Sequence, residues 1–223
     1  MTLSIRWLPA ALVGCLAGAL VGSLAGCTGL FHSNAPPEQV YYLRATADSQ
    51  GAGTPAPVAA SLRFNRPTVN PGLESTQIML VQSDRRMSYF LASRWPVPTA
   101  NMIETLGVEK LRASHLWQSV ADSTNGFPSD YVLLVTVRHF EADYTGGGTV
   151  PDVHVVLDCI VGKREGREVI ASFLAEGSAT ASANRQAAVV AAFETATNAA
   201  IDSLSMQTVE AVRAALAHQG AAS

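Results

Sequence analysis

The sequence predicts a single α+β domain, with an antiparallel-rich sheet built around a central meander and packed by two helices. Three alternating apolar–polar stretches, 130–144, 152–163 and 168–179, are separated by glycine-containing turns and predict the meander. Apolar residues at helical spacing follow Pro98, and a long alanine-rich segment without glycine or proline comes near the end of the chain. The 223 residues suffice for one ordinary domain with a real core.

Short strands precede the first predicted helix. They are expected at 39–45, 61–66, 76–82 and 87–92. The last two are expected to form a hairpin around the polar turn at 83–86. Residues 46–60 contain two glycines and two prolines but little that is apolar, so they should form a loop.

Two helices are expected. The first has Thr99 as its N-cap and ends near His115, and a short strand at 116–121 and a loop at 122–128 follow it. The second covers 184–217, with a break expected near 203–205, and the tail at 218–223 should fray.

The meander register assigns side chains to the two faces of the sheet. A turn centred on Gly146 and Gly147 makes partner numbers sum to 293. One apolar face then pairs Val132 with Val161, Leu134 with Cys159 and Phe140 with Val153. The other face, which is also largely apolar, carries Leu133, Val135, Val137, Val156 and Ile160. One face needs a helix layer; the other is either a self-association or lipid-handling surface, or is covered by 61–75 or 122–128.

The first 26 residues have the pattern of a secretory signal, because Arg6 precedes an apolar run that ends in small residues. Leu24-Ala25-Gly26-Cys27 resembles the bacterial lipobox. The resemblance implies removal of 1–26 and three acyl chains on Cys27, which would anchor the chain without spanning the membrane. Thr28, in place of aspartate, implies the outer membrane, facing the periplasm. Residues 27–38 should form a lipidated tether.

Composition excludes several classes of function. Loss of Arg6 with the leader leaves a mature net charge of −4, which argues against nucleic acid as a partner. Cys15 is lost with the leader and Cys27 is lipidated, so Cys159 has no disulfide partner and should be a buried small hydrophobe. No other cofactor than the covalent lipid is expected.

A metal site is one interpretation of the central hairpin. In the register above, His139 faces His154 and Glu141 faces Asp152, and two imidazoles with two carboxylates could hold a divalent metal. The alternative is a solvated polar hairpin tip.

A protein interface is one interpretation of Arg94 and Trp95, since arginine and tryptophan are enriched in binding hot spots. The alternative for Trp95 is a core position. Arg85 and Arg86 could contact anionic headgroups or form a solvated turn. The sequence contains neither a phosphate-binding G-x-x-x-x-G-K-[ST] loop nor a G-x-S-x-G nucleophile motif, so no enzyme activity is expected.

The order of these elements resembles the ABC-type transport auxiliary lipoprotein family. The features that carry the resemblance are Cys27, Tyr41-Tyr42-Leu43, Gln77 to Leu80, Tyr89-Phe90, Arg94-Trp95-Pro96, Tyr131 to Phe140, the strand Val153 to Val161, and the alanine-rich 187–200. The corresponding domain is 39–217.

The resemblance implies a non-enzymatic subunit that docks a periplasmic protein of the mammalian-cell-entry type to the outer membrane. An ABC permease and ATPase would complete the lipid transport system, and the chain could also form a homo-oligomer. Two alternatives stay open. One is a lipoprotein that assists outer-membrane protein assembly; the other is a periplasmic metal-binding protein or enzyme.

Overall fold

A computed structural model describes residues 37–46 and 56–222. The strands are β1 Gln39–Val40, β2 Val58–Phe64, β3 Thr68–Val69, β4 Gln77–Val81, β5 Met87–Arg94, β6 Trp117–Ala121, β7 Tyr131–Asp143, β8 Asp152–Lys163 and β9 Glu168–Thr180. The helices are α1 Thr99–Ala113 and α2 Gln186–Ala222. The predicted leader, Cys27 and most of the tether lie outside the described residues. No helix in the described ranges is long and apolar enough to cross a membrane.

Strand β7 is the axis of the sheet. Along one edge it pairs antiparallel with β8, which in turn pairs antiparallel with β9. Along its other edge β2, β3 and β4 pair with it in succession, all parallel. From there β2 leads to β6, whereas β4 leads to β5 and β5 to β1. The α+β class, the hairpin and the meander are therefore confirmed. The sheet is mixed, since its long ladders are antiparallel and its short ones parallel.

The predicted meander register is wrong by one residue at first and by two farther along. Leu133 pairs with Val161 and Leu134 with Ile160, and a bulge between Val137 and His139 then shifts the ladder again. Because side chains alternate between faces, a one-residue slip exchanges the two faces. The buried face therefore carries Leu133, Val135, Val137, Val155, Leu157, Cys159 and Val161.

Helix α2 covers that buried face and packs on β8 and β9. Its centre lies against β9 at Gly177. The backbone of Ala196 approaches so closely there that a Cβ atom on residue 177 would collide with it. Phe193 of α2 packs with Trp95 and Phe140, with ring centroids 5.3 and 5.0 Å from its own. All three rings are buried and lie in edge-to-face or tilted arrangements, which favour aromatic packing.

Both helices depart from prediction at their ends or centre. The N-cap of α1 is Pro98, without a side-chain capping bond, and Thr99 is buried as the first helical residue. Helix α2 is continuous through 203–205, and its polar side chains there bond along the helix: Thr208 Oγ1 donates to Leu204 O at 2.7 Å and Gln207 Nε2 to Ser203 Oγ at 3.0 Å. The tail predicted to fray from 218 is helical as far as Ala222.

Candidate docking surface on the open sheet face

The face of β7, β8 and β9 turned away from α2 is called the open face here. Its apolar end carries Val132, Leu134, Ile160, Val169 and Leu174. Leu134 and Leu174 are each 45% exposed and Val169 is 63% exposed. Residues 61–75 extend the sheet sideways as β2 and β3 and do not cover this face, contrary to one of the alternatives left by the sequence.

Strand alternation explains why these residues meet. Leu134 pairs with Ile160, and Gly162 lies opposite both Val132 and Val169. Because Gly162 has no side chain, a shallow depression of about 270 Å³ opens between its neighbours. The surface therefore consists of branched apolar side chains that surround a shallow depression at Gly162.

Cations line the rim of this depression. Lys163, Arg164 and Arg167 contribute to its wall at the β8–β9 turn, together with the carboxylate of Glu168, so positive charge is in excess. The turn is tight, since Gly166 and Arg167 have φ of 77° and 54°, and the left-handed conformation at both residues suits such a turn. An apolar floor beside three cations suits a partner surface that combines apolar and acidic groups.

A loop is fastened beside the apolar end by Arg63, which lies next to Val132 in the sheet. The Arg63 guanidinium donates to the backbone carbonyls of Asp122, Asn125 and Phe127. The hydroxyl of Thr124 donates to Asp122 and holds the pKa of that carboxyl below its ordinary value. Phe127 is 77% exposed, so the loop presents another apolar side chain to solvent instead of burying the open face.

The polar end of the open face contains the residues predicted as metal ligands. His139 Nδ1 lies 2.6 Å from Glu141 Oε1, but His139 pairs with Val156 in the ladder, and Glu141 pairs with His154. Asp152 accepts a 2.5 Å bond from Thr180 Oγ1. The expected pairing of His139 with His154 and Glu141 with Asp152 is therefore wrong, because the ladder starts one residue out of the predicted register and the bulge adds a second residue. No group of three or more metal-ligating side chains comes together within the described ranges.

The two residues predicted as interface anchors have different environments. Trp95 is fully buried against Phe140 and Phe193, so its side chain belongs to the core and cannot contact a partner. Arg94 is partly exposed, and its Nε donates to Glu38 Oε2 at 2.7 Å.

Two further predictions can be compared with the structure. Cys159 is buried, as expected, and its burial raises the pKa of the thiol to about 12. Arg86 lies in an exposed turn, where its Nε donates to Asp84 Oδ2 at 2.5 Å. This corresponds to the solvated alternative for the arginine pair.

Another depression, about 660 Å³, lies near the start of β7 and includes Asp130. Both the hydroxyl and the amide of Ser61 donate to Asp130 Oδ2, at 2.6 and 2.7 Å, and they lower the pKa of this carboxyl. The bonds tie β2 to β7 and leave Asp130 an acceptor in a structural contact.

Sequence reasoning missed Val169 and the role of Arg63. Val169 and Ile170 are consecutive apolar residues, and a bulge at Ile170 places Val169 opposite Gly162 on the open face. Nothing in the local sequence around Arg63 signals its bonds to a loop about 60 residues away.

Comparisons with known proteins agree with this fold. A solved protein from Xanthomonas campestris has a TM-score of 0.70 and 24% identity, over 78% of this chain and 97% of its own. A second solved, uncharacterized protein has a TM-score of 0.57 and 14% identity, over 77% and 97%. At such identities the likeness concerns the fold. No curated protein matches the chain. The model of the ABC-type transport auxiliary lipoprotein component family matches residues 41–205, and the chain belongs to that family.

Proposed function

We propose that this protein is an outer-membrane lipoprotein subunit of an intermembrane lipid transport system powered by an ABC ATPase, and that it acts as anchor and docking piece. The observation that carries the proposal is the family match over 41–205, with a sequence that resembles a lipobox upstream of it at Leu24 to Cys27. Hydrolysis of ATP belongs to a partner, since the sequence has no phosphate-binding loop of the Walker type.

The open face is the surface we assign to the periplasmic partner, a protein of the mammalian-cell-entry type. Leu134, Ile160 and Val169 form an apolar centre, and the cations of the β8–β9 turn form its rim. Interfaces are commonly built in this way, with an apolar core and a polar border. Lipid anchoring at Cys27 would restrict the domain to a thin layer, which raises its effective concentration and allows modest affinity to suffice.

The test is recovery of partners from cross-linked membranes by the tagged, lipidated protein, read by mass spectrometry. Val169→Asp and Leu134→Asp place a charge on the apolar centre at exposed positions, so folding should persist. We expect each to reduce recovery of a mammalian-cell-entry-type protein about tenfold, as for loss of one hot-spot contact near 1.4 kcal/mol. Met206→Asp is the matched control, because Met206 is similarly exposed (54%) but lies on α2.

Equal recovery by the open-face variants and the control would exclude the open face as the docking surface. Recovery of an outer-membrane β-barrel instead of a transport component would support the assembly-factor alternative and overturn the proposal.

A further inference from the structure

Strand β5 contains a wide bulge that projects an apolar side chain into solvent. Gln77 pairs with Arg94 and Met79 with Tyr89, so four residues of β5 lie opposite the single residue Ile78. Leu91 lies within this bulge and is 92% exposed, more than any other large apolar residue in the described ranges. The next residue, Ala92, has φ of 50°, a left-handed conformation that residues with a side chain rarely adopt.

The bulge also restricts strand pairing along this edge. Bulges bend and twist the strand that carries them, and exposed edges use them to avoid pairing with other chains. Only Gln39 and Val40 of β1 pair with β5 on that side, opposite Ser93 and Arg94. A partner at Leu91 would therefore contact the side chain and not the backbone ladder.

Leu91 lies where the chain enters the domain. A depression of about 310 Å³ is lined by Leu91 together with Glu38 and Arg94, and Glu38 is among the first described residues. Two more exposed apolar residues follow in the entering segment: Val40, which is half exposed, and Tyr42, which lies under the guanidinium of Arg44 with 5.7 Å to the ring centroid.

The charges around this entry are largely compensated within the domain. Arg94 pairs with Glu38 at 2.7 Å and Arg44 with Glu194 at 3.8 Å. The depression itself is lined mostly by polar side chains, so the apolar contact that this surface can offer comes from the projecting Leu91 with Val40 and Tyr42. Because the neighbouring charges are paired, that contact should depend little on salt or on anionic lipid.

The length of the tether limits what can reach this surface. Ten residue steps separate Cys27 from Pro37, so they span at most about 35 Å, and a flexible chain of that length averages about 17 Å. A membrane holding lipids on Cys27 would thus always lie close to the entry of the domain.

We propose that Leu91, on the β5 bulge, inserts into the interface of the membrane that holds Cys27, and so fixes the orientation of the domain on the bilayer. This rests on the lipid anchor of the proposed function. Insertion of a side chain on a bulge would reach the boundary between headgroups and acyl chains, about 5–10 Å deep. With the entry side against the bilayer, the meander branch of the sheet would face away from it, toward the periplasm.

The experiment places an environment-sensitive fluorophore on Leu91→Cys in the lipidated protein bound to phosphatidylcholine vesicles. Lipids with a nitroxide near the headgroup serve as quenchers. Cys159 is buried and Cys27 carries lipid, so the new thiol is the one that labels. Phe127→Cys is the matched control. Phe127 is another highly exposed apolar side chain, but it lies in the loop after β6, which is at the opposite end of the sheet from β1 and β5.

We expect quenching at position 91 several-fold above that at 127, unchanged by high salt. Equal quenching at both positions would overturn the proposal, and so would quenching at 91 that requires anionic lipid. Flotation of the protein with vesicles is measured in parallel. If the protein floats but position 91 is not quenched, this inference fails while the anchor of the proposed function stands. If it does not float, both fail.

Discussion

Replacement of Gly177 by alanine should push α2 away from β9 and lower the stability of the domain. An ideally placed methyl group at this position would overlap the carbonyl oxygen of Ala196 and lie 2.7 Å from the amide nitrogen of Ala200. Ordinary contact begins near 3.4 Å, so the methyl group would need about 0.7 Å more room at the Ala200 nitrogen and still more at the Ala196 oxygen, and α2 would have to retreat. The obstructing atoms belong to the helix backbone, so no side-chain rotation can relieve the overlap.

The magnitude follows from the cost of overpacking. Forcing an extra methyl group into a close-packed interior typically costs about 1–3 kcal/mol, and backbone collision places Gly177→Ala at the upper end. Elsewhere a glycine-to-alanine change in a permitted conformation stabilises by about 0.4–1 kcal/mol, because it restricts the unfolded chain. A loss of stability in Gly177→Ala would therefore indicate a backbone collision, whereas a gain would indicate that the position has free space.

Urea denaturation measures the difference. With an m-value of about 2 kcal/mol/M, a loss near 3 kcal/mol lowers the transition midpoint by about 1.5 M. Gly126→Ala is the control, since nothing lies within 4 Å of the added methyl group. If Gly177→Ala unfolds at the same urea concentration as Gly126→Ala, the close approach of α2 to β9 is refuted.

Three further predictions concern the core, the buried thiol and the fastened loop. Phe193→Ala removes the central ring of the aromatic cluster and should cost about 3–5 kcal/mol in urea denaturation; a loss below 1 kcal/mol would contradict the packing. Native Cys159 should not react with a thiol reagent at pH 8, but it should react in denaturant. Because its pKa rises from 9.0 to about 12 on folding, stability should fall as the pH rises from about 9 toward 12, and Cys159→Ala should reduce that slope. Arg63→Ala should speed amide hydrogen exchange at 122–127 and leave exchange in β7 unchanged; equally fast exchange in both would indicate global unfolding instead.

The meander was predictable because its signals are local. Alternation over 130–144, 152–163 and 168–179 and the turns between them indicate three neighbouring strands without knowledge of the rest of the chain. The long helix was predictable for the same reason, from apolar spacing without glycine or proline.

The register and the parallel pairings were not predictable from local pattern. The start of the ladder is one residue away from the register that the turn suggested, and consecutive apolar residues at 132–135 do not distinguish the two registers. The bulge is marked by the adjacent polar residues Arg138 and His139, which interrupt the alternation, and it moved His139 one residue farther from His154. Pairing of β2, β3 and β4 along one edge of β7 depends on contacts across 60 residues or more. An uncovered apolar face was therefore one of the two alternatives that the sequence left open, and its residues were assigned to the wrong side.

The sequence contains a signal for the bulge in β5, namely an interruption of the alternation between apolar and polar residues. Tyr89, Phe90 and Leu91 are three consecutive bulky apolar residues, and a regular strand can direct only alternate ones toward the core. Tyr89 and Phe90 both pack against the core, so the strand must deform, and Leu91 points outward.

The way the entering segment is attached has a mechanical consequence. Tyr41 N donates to Arg94 O of β5 at 2.9 Å. Farther along, Arg44 N donates to Glu194 Oε2 and Thr46 N to Asn198 Oδ1, both of α2 and both at 2.9 Å. The segment is therefore hydrogen-bonded first to β5 and then to α2. Under the proposed lipid anchor, tension from a docked partner would load these bonds one after another, starting at the two-residue ladder of β1. The segment would peel away stepwise and absorb extension before the aromatic core carries any force.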